Sequence, residues 1–387
     1  MARGKFNIVL SWSQLTWDKL RLCAAVSGIV FAVTLMMMQL GFRDSLFVAA
    51  VQFHHALKAD LVLLSSQYEY MVATKPFSRR HLYKTLGIDA VQSVTPLYVG
   101  LVNWKNSETH REIPIYLIGF NPIESALDLP GVSSNLDEIK LTDHVLFDAG
   151  SKPDFGPVPA LFRAHGPITT QVGGHKITIA GLFQLGLSFG TDGNLVTSED
   201  NFFRLLPGRR QGLIDMGLIR LRPGSSREAV KAEIQKGLGP GLRLLTRDEF
   251  IDYEKKYWAV RTPVGFVFNL GVVVGFIVGA VIVYQILYTD VSDHIGEYAT
   301  LKAMGYSDAY LYRVVIEESL LLSVLGFIPG FLISTGMGIL TRKMTLLPAS
   351  MTWQRASTVF VLTLVMCVVS GILAMRKLRS ADPADIF

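Results

Sequence analysis

The chain has 387 residues, of which 50% are hydrophobic and 18% charged, and a formal net charge of +5. Soluble domains carry about 25% charged residues, so this deficit points to membrane segments, as does the mean hydropathy of +0.36. The composition excludes a disordered, collagen-like or coiled-coil chain. Lys and Arg flanking membrane spans account for the mild positive charge without nucleic acid. Cys23 and Cys367 both sit in apolar runs, which excludes a disulfide framework and a cysteine-based zinc site.

A hydrocarbon core of about 30 Å takes roughly 20 helical residues. The segments 22–42, 264–288, 314–340 and 356–375 meet that length. The first is too long for a signal-peptide core and has no clear small-residue cleavage site, so it reads as a retained anchor. Between the first two spans lie residues 43–263, the size of a full domain. The predicted fold class is membrane α-helical, four transmembrane helices in a 1+3 arrangement, with a large α+β extracytoplasmic domain inserted between spans one and two.

Basic residues set the orientation. Arg3, Lys5, Lys19 and Arg21 precede span one, and Arg376, Lys377 and Arg379 follow span four. Both termini are therefore expected in the cytoplasm, as segments 1–21 and 376–387. The loop 289–313 is then cytoplasmic, and the short loop 341–355 lies outside with the insert. Arg342, Lys343 and Arg355 fall in or at that outer loop, against the rule.

The insert begins as a helix continuing span one, with Leu46, Ala50, Phe53 and Leu57 on one face. Strands are predicted at 60–65, 91–101, 113–120, 176–183 and 216–222. Ser225 with Glu228 predicts a capping box for a helix to Gly237. Thr246 with Glu249 predicts another, leading through Phe250, Tyr253 and Trp258 toward span two, with a kink or stop at Pro263. Helical stalks thus flank the domain at both ends.

Catalytic signatures are missing from the sequence. There is no phosphate loop of the G-x-x-x-x-G-K-[ST] type, no H-E-x-x-H and no G-x-S-x-G. Adjacent His54 and His55 would point about 100° apart on a helix, and they read as a surface or stalk pair. No metal site is expected, and no carboxylate pair stands out as acid and base.

The membrane half is more informative. Gly271, Gly275 and Gly279 repeat every fourth residue in span two, a strip on which another helix packs closely, in this chain or in a second copy. Gly326 and Gly330 flank Pro329 in span three. Arg313 stands four residues before Glu317, the spacing of a juxtamembrane ion pair, with a transmission or substrate role as the alternative. In the loop 289–313, Glu297, Leu301, Met304 and Gly305 fall on one side of a short helix that Gly305 would end and Ser307 would follow as a cap. A docking helix and a plain structural loop fit that periodicity equally well.

The run Glu297-Tyr298-Ala299-Thr300-Leu301-Lys302-Ala303-Met304-Gly305 resembles the E-x-A-T-L-[KR]-A-[LM]-G stretch of FtsX/MacB-type ABC transporter permeases. Val315-Ile316-Glu317-Glu318-Ser319 is similar to the acidic start of their third span, and Asp382-Pro383-Ala384-Asp385-Ile386 to their D-P-A-x-x-L ending. The chain looks most like the DevC-type permeases, which lack a fused ATPase domain. His294-Ile295 departs from the basic-acidic pair of many relatives.

The resemblance implies a non-catalytic permease subunit of the bacterial inner membrane that works as a homodimer in the lipid bilayer. A separate ABC ATPase, holding ATP and magnesium, would dock at Glu297, Leu301, Lys302, Ala303, Met304 and Gly305. ATPase motion would pass through this coupling loop to the outer domain (mechanotransmission). A periplasmic membrane fusion protein would assist export of a lipid, glycolipid or other amphiphile. Two relatives offer alternatives: an FtsX-like regulator of a cell-wall hydrolase, and a lipoprotein-releasing permease. A membrane-anchored receptor is the contrasting class.

Overall fold

The computed structural model describes residues 18–123, 125–188, 190–296, 300, 304–347 and 351–379. The chain divides into two compact units, 1–45 with 264–345 and 349–387, and 46–263 with 346–348. Among the described residues, four helices are long and apolar enough to cross a membrane. The fold is the expected class: four apolar helices and a large mixed α/β domain between the first and second.

In chain order the elements begin with α1 (Lys19–His55), β1 (Leu61–Ser65), β2 (Phe77–Ser78), α2 (Arg79–Lys84), β3 (Val91–Lys105) and β4 (Glu112–Phe120). There follow α3 (Pro130–Ser133), β5 (His144–Asp148), α4 (Val158–His165), β6 (Ile168–Val172), β7 (His175–Phe183), β8 (Asn194–Ser198) and α5 (Glu199–Leu205). Next are β9 (Leu213–Ile214), β10 (Met216–Leu221), α6 (Arg227–Gly237), β11 (Leu242–Thr246) and α7 (Arg247–Lys256). The membrane helices α8 (Pro263–Asp293), α9 (Asp308–Thr345) and α10 (Trp353–Arg379) complete the chain.

Helix α1 has 37 residues, about 55 Å at 1.5 Å per residue, well beyond a hydrocarbon core of about 30 Å. In the membrane unit its buried residues Ala25, Ile29, Ala32, Val33, Met36 and Leu40 recur at three- and four-residue steps. They pack with Val283 and Leu287 of α8, Leu322 of α9, and Val359, Met366 and Cys367 of α10. Lipid tails are as apolar as these side chains, so close packing rather than hydrophobic burial holds the bundle together.

In the insert, nine strands form one sheet in the order β11-β1-β10-β3-β4-β8-β5-β7-β6. Strand β6 also pairs with the far end of β3, Trp104 opposite Val172. The strands β3, β4, β8, β5, β7 and β6 therefore close into a ring, while β10, β1 and β11 extend the near half of β3 as an open flank. Closure removes two sheet edges. Alternation sorts the two faces: Ile115 and Leu117 of β4 enter one core with Trp104, Phe147 and Phe155. Tyr116 and Ile118 enter the other with Phe53, Phe120 and Phe250. Burying each large apolar side chain in this domain contributes roughly 1.5–3 kcal/mol before ordering costs.

Two local expectations are corrected. The cap of α6 is Ser226, which accepts from Ala229 N, and not Ser225. His54 is not a surface residue; it is fully buried in the second core, as shown below. By contrast Thr246 and Glu249 form the complete capping box of α7. Thr262 is extended (φ −115°, ψ 154°), as a residue before proline prefers, and Pro263 opens α8 at a position that needs no N–H donor.

Candidate functional site

Of the residues assigned to ATPase coupling, Glu297, Leu301, Lys302 and Ala303 lie outside the described residues. Met304 and Gly305 are described. The Met304 amide donates to Thr300 O at 3.0 Å, closing one helical turn, and its side chain is 63% exposed. Gly305 follows at φ +95°, the left-handed conformation that terminates helices and that a side chain would disfavour. The Tyr310 amide then donates to Ser307 O at 2.9 Å, which starts the first turn of α9.

Arg313 Nε donates to Glu317 Oε1 at 3.1 Å, one turn apart on α9. Glu317 is 4% exposed, so this is a half-buried ion pair. Glu318 beside it is fully buried, and among the described residues neither carboxylate oxygen has a hydrogen-bond partner. Ser319 Oγ bonds Val315 O at 2.7 Å. At the other chain segments of this end, Arg21 of α1 meets Asp293 of α8 at 2.7 Å and Asp290 at 3.8 Å. An ion pair thus ties the start of α1 to the end of α8.

The three span-two glycines face α1 of the same chain. A Cβ on Gly279 would lie 2.6 Å from Ala32 Cβ, and one on Gly275 3.2 Å from Met36 Cγ. At Gly271 it would meet the amide end of Gln39 at 2.5 Å. Gly326 and Gly330 of α9 meet the same helix from another side, at Ile29 and Val33. Span one is the post against which spans two and three close, which a strip of glycines alone could not reveal.

A polar cluster that sequence reasoning missed lies where the last turn of α1 meets α7 inside the insert unit. Glu254 is fully buried. It accepts from Tyr68 Oη at 2.9 Å, Met71 N at 3.1 Å and Trp258 Nε1 at 3.2 Å. His54 Nε2 faces Glu254 Oε2 at 3.5 Å and Tyr68 Oη at 3.4 Å, while the Nδ1 atom is buried without a partner. The imidazole edges onto Phe250 at 4.5 Å between centroids. Tyr253 Oη donates to Tyr68 O at 2.9 Å. Burial, and next the Glu254 carboxylate, hold the Tyr68 phenol well above the ordinary tyrosine range. The available signal was the spacing of Phe250, Glu254 and Trp258, every fourth residue along the stretch that the sequence predicts as one helix. Among the described residues, no three His, Cys, Asp or Glu gather as metal ligands.

These parts define a class: a multi-pass membrane protein in which three spans pack on the first, with a folded insert between spans one and two in the chain. Residues 269–383 match the family model of the FtsX-like permease C-terminal domain. That match runs from within α8 through α9 and α10. The insert is similar to two solved structures. One is the periplasmic region of MacB from Actinobacillus actinomycetemcomitans, at 10% identity over 53% of this chain and 96% of that one, TM-score 0.34. The other is the extracellular domain of the noncanonic ABC-type transporter YknZ from Gram-positive bacteria, at 10% identity over 48% of this chain and 99% of that one, TM-score 0.32.

Proposed function

We propose that this chain is the membrane subunit of an ABC exporter and that a separate ATPase docks on its 289–313 loop. The observation that carries this reading is the FtsX-like permease match across spans two to four. An exposed Met304 at the end of a helical turn stopped by Gly305 gives that loop an apolar knob for a groove on a partner. The ATPase supplies the nucleotide and magnesium chemistry, and this chain relays movement to the insert. Two copies of the chain form the working unit in the inner membrane, with both termini cytoplasmic. A periplasmic membrane fusion protein completes a DevC-like exporter of a lipid, glycolipid or other amphiphile.

Co-purification from native membranes in mild detergent tests the reading. The wild-type chain should retain an ABC ATPase. Met304→Asp places a charge in an apolar contact and should cut retention about tenfold or more, a loss of roughly 1.4 kcal/mol, with unchanged thermal unfolding of the chain itself. Absence of an ATPase from the wild-type preparation would defeat the proposal.

A further inference from the structure

Arg342, Lys343 and Arg355 break the charge rule that orients the spans, and the permease reading gives them no task. Arg355 opens the first turns of α10 and is only 8% exposed. Its Nε and Nη2 both lie 3.1 Å from Asp44 Oδ2. The other oxygen of Asp44 is already taken by Arg43, with Nη2 at 3.0 Å, and Arg43 Nη1 continues to Asn269 Oδ1 at 2.9 Å. Among the described residues two guanidiniums therefore share one carboxylate, which leaves an excess of one positive charge in a half-dry setting. Such a charge is costly without a counter-ion.

Beside it lies a cavity of about 70 Å³ between α1, α9 and the start of α10, and Arg355 lines it. That is several times the roughly 10–15 Å³ that one water needs. Apart from Arg355 the wall is largely apolar: Met37, Met38, Phe42, Ile339 and Met351. Gly41 makes room for the guanidinium, since a Cβ there would stand 3.2 Å from Arg355 Nη1. Gly338 leaves the opposite wall open, with nothing within 4 Å of where its Cβ would be. A guanidinium beside an apolar slot is complementary to an anionic amphiphile.

We infer that this groove is a binding site for one anionic phospholipid of the surrounding bilayer, its phosphate on Arg355 and part of one acyl chain between α1 and α9. Arg43 and Asp44 hold the guanidinium in place. Charge complementarity selects the head group, because a zwitterionic lipid would bring a second cation to a site that already has one in excess. The inference does not depend on the identity of the ATPase, and its test reads lipid binding alone.

The experiment is native mass spectrometry of the full-length protein in a nonionic detergent, titrated with phosphatidylglycerol or phosphatidylcholine. The wild type should retain one phosphatidylglycerol about tenfold more tightly than phosphatidylcholine, as one charge-assisted contact allows. Gly338→Leu fills the slot without touching the Arg355–Asp44 pair and should abolish that preference. Arg355→Gln should do the same by removing the charge. Gly336→Leu, also with open space around its Cβ but outside the slot, and Arg342→Gln should bind as the wild type does. Equal retention of both lipids, wild-type binding by Gly338→Leu, or displacement of the lipid by inorganic phosphate at the lipid's own concentration would overturn the inference. The last result would reveal an anion site in which the chain plays no part.

Discussion

Single buried groups carry much of the order in the insert, and Glu254 is the clearest. It closes three hydrogen bonds from two different stretches of chain while facing His54. Glu254→Ala would remove the carboxylate that accepts from the Tyr68 hydroxyl, the Met71 amide and the Trp258 ring, at a cost on the order of 3 kcal/mol. Glu254→Gln keeps one carbonyl acceptor and should cost less, about 1–2 kcal/mol. Thermal unfolding of the full chain in detergent separates the two, and equal melting of Glu254→Ala and the wild type would refute this assignment. Two phenols make a second residue-scale effect. Burial first, then Glu254 for Tyr68 and Asp215 for Tyr116, raise both above the ordinary value of 10.0. A raised folded value means that the unfolded chain releases its protons first. Stability is therefore fully present below pH 10 and is lost as pH climbs past it, by up to about 1.4 kcal/mol per pH unit for each phenol. Tyr116→Phe should lose its bond to Met71 O, yet show a shallower alkaline decline in the unfolding profile. An unchanged slope would show that Tyr116 does not hold its proton more tightly when folded.

Elements in the membrane half meet through glycines, and these are not equivalent. At Gly279 an added methyl would press on Ala32 Cβ at 2.6 Å, and at Gly326 on Ile29 Cβ at 2.5 Å. Both neighbours are stiff or backbone-near atoms in a packed helix, so Gly279→Ala and Gly326→Ala should each destabilise the bundle by about 1–3 kcal/mol. At Gly271 the obstacle is the end of the flexible Gln39 side chain, which can swing away, and Gly271→Ala should be nearly neutral. Melting curves in detergent rank the three, and a destabilised Gly271→Ala beside an unaffected Gly279→Ala would reverse this account. Much of this scale was legible in the sequence. Apolar length marked the spans, partial alternation marked β7 and β10, and the Thr246–Glu249 box marked the start of α7. What was not legible is which surfaces meet. His54 looked like a solvated stalk residue because nothing local shows that Tyr68 and Glu254 arrive from 14 and 200 positions away along the chain. Ser225 and Ser226 differ as caps by one residue, a choice fixed by where the chain leaves β10 and not by composition.

For the whole molecule, the sidedness of the loop between α8 and α9 decides the mechanism. If a nucleotide-driven partner works on this chain, that loop must lie in the compartment that holds ATP, and the insert must lie across the membrane from it. The basic residues before span one and after span four favour this arrangement, while the cations near Arg355 oppose it unless they serve another purpose, such as a lipid site. Cysteine tagging resolves the conflict directly. The native thiols are Cys23, which is exposed, and Cys367, which is buried, so both should first be replaced by serine. In that background Lys302→Cys tests the loop and Arg163→Cys, on an exposed position of α4, tests the insert. A membrane-impermeant maleimide added to intact spheroplasts should label position 163 and leave 302 unmodified until the bilayer is permeabilised. Labelling at 302 in intact spheroplasts would place the loop outside, out of reach of any cytoplasmic ATPase. No push generated by nucleotide could then enter the chain at that point.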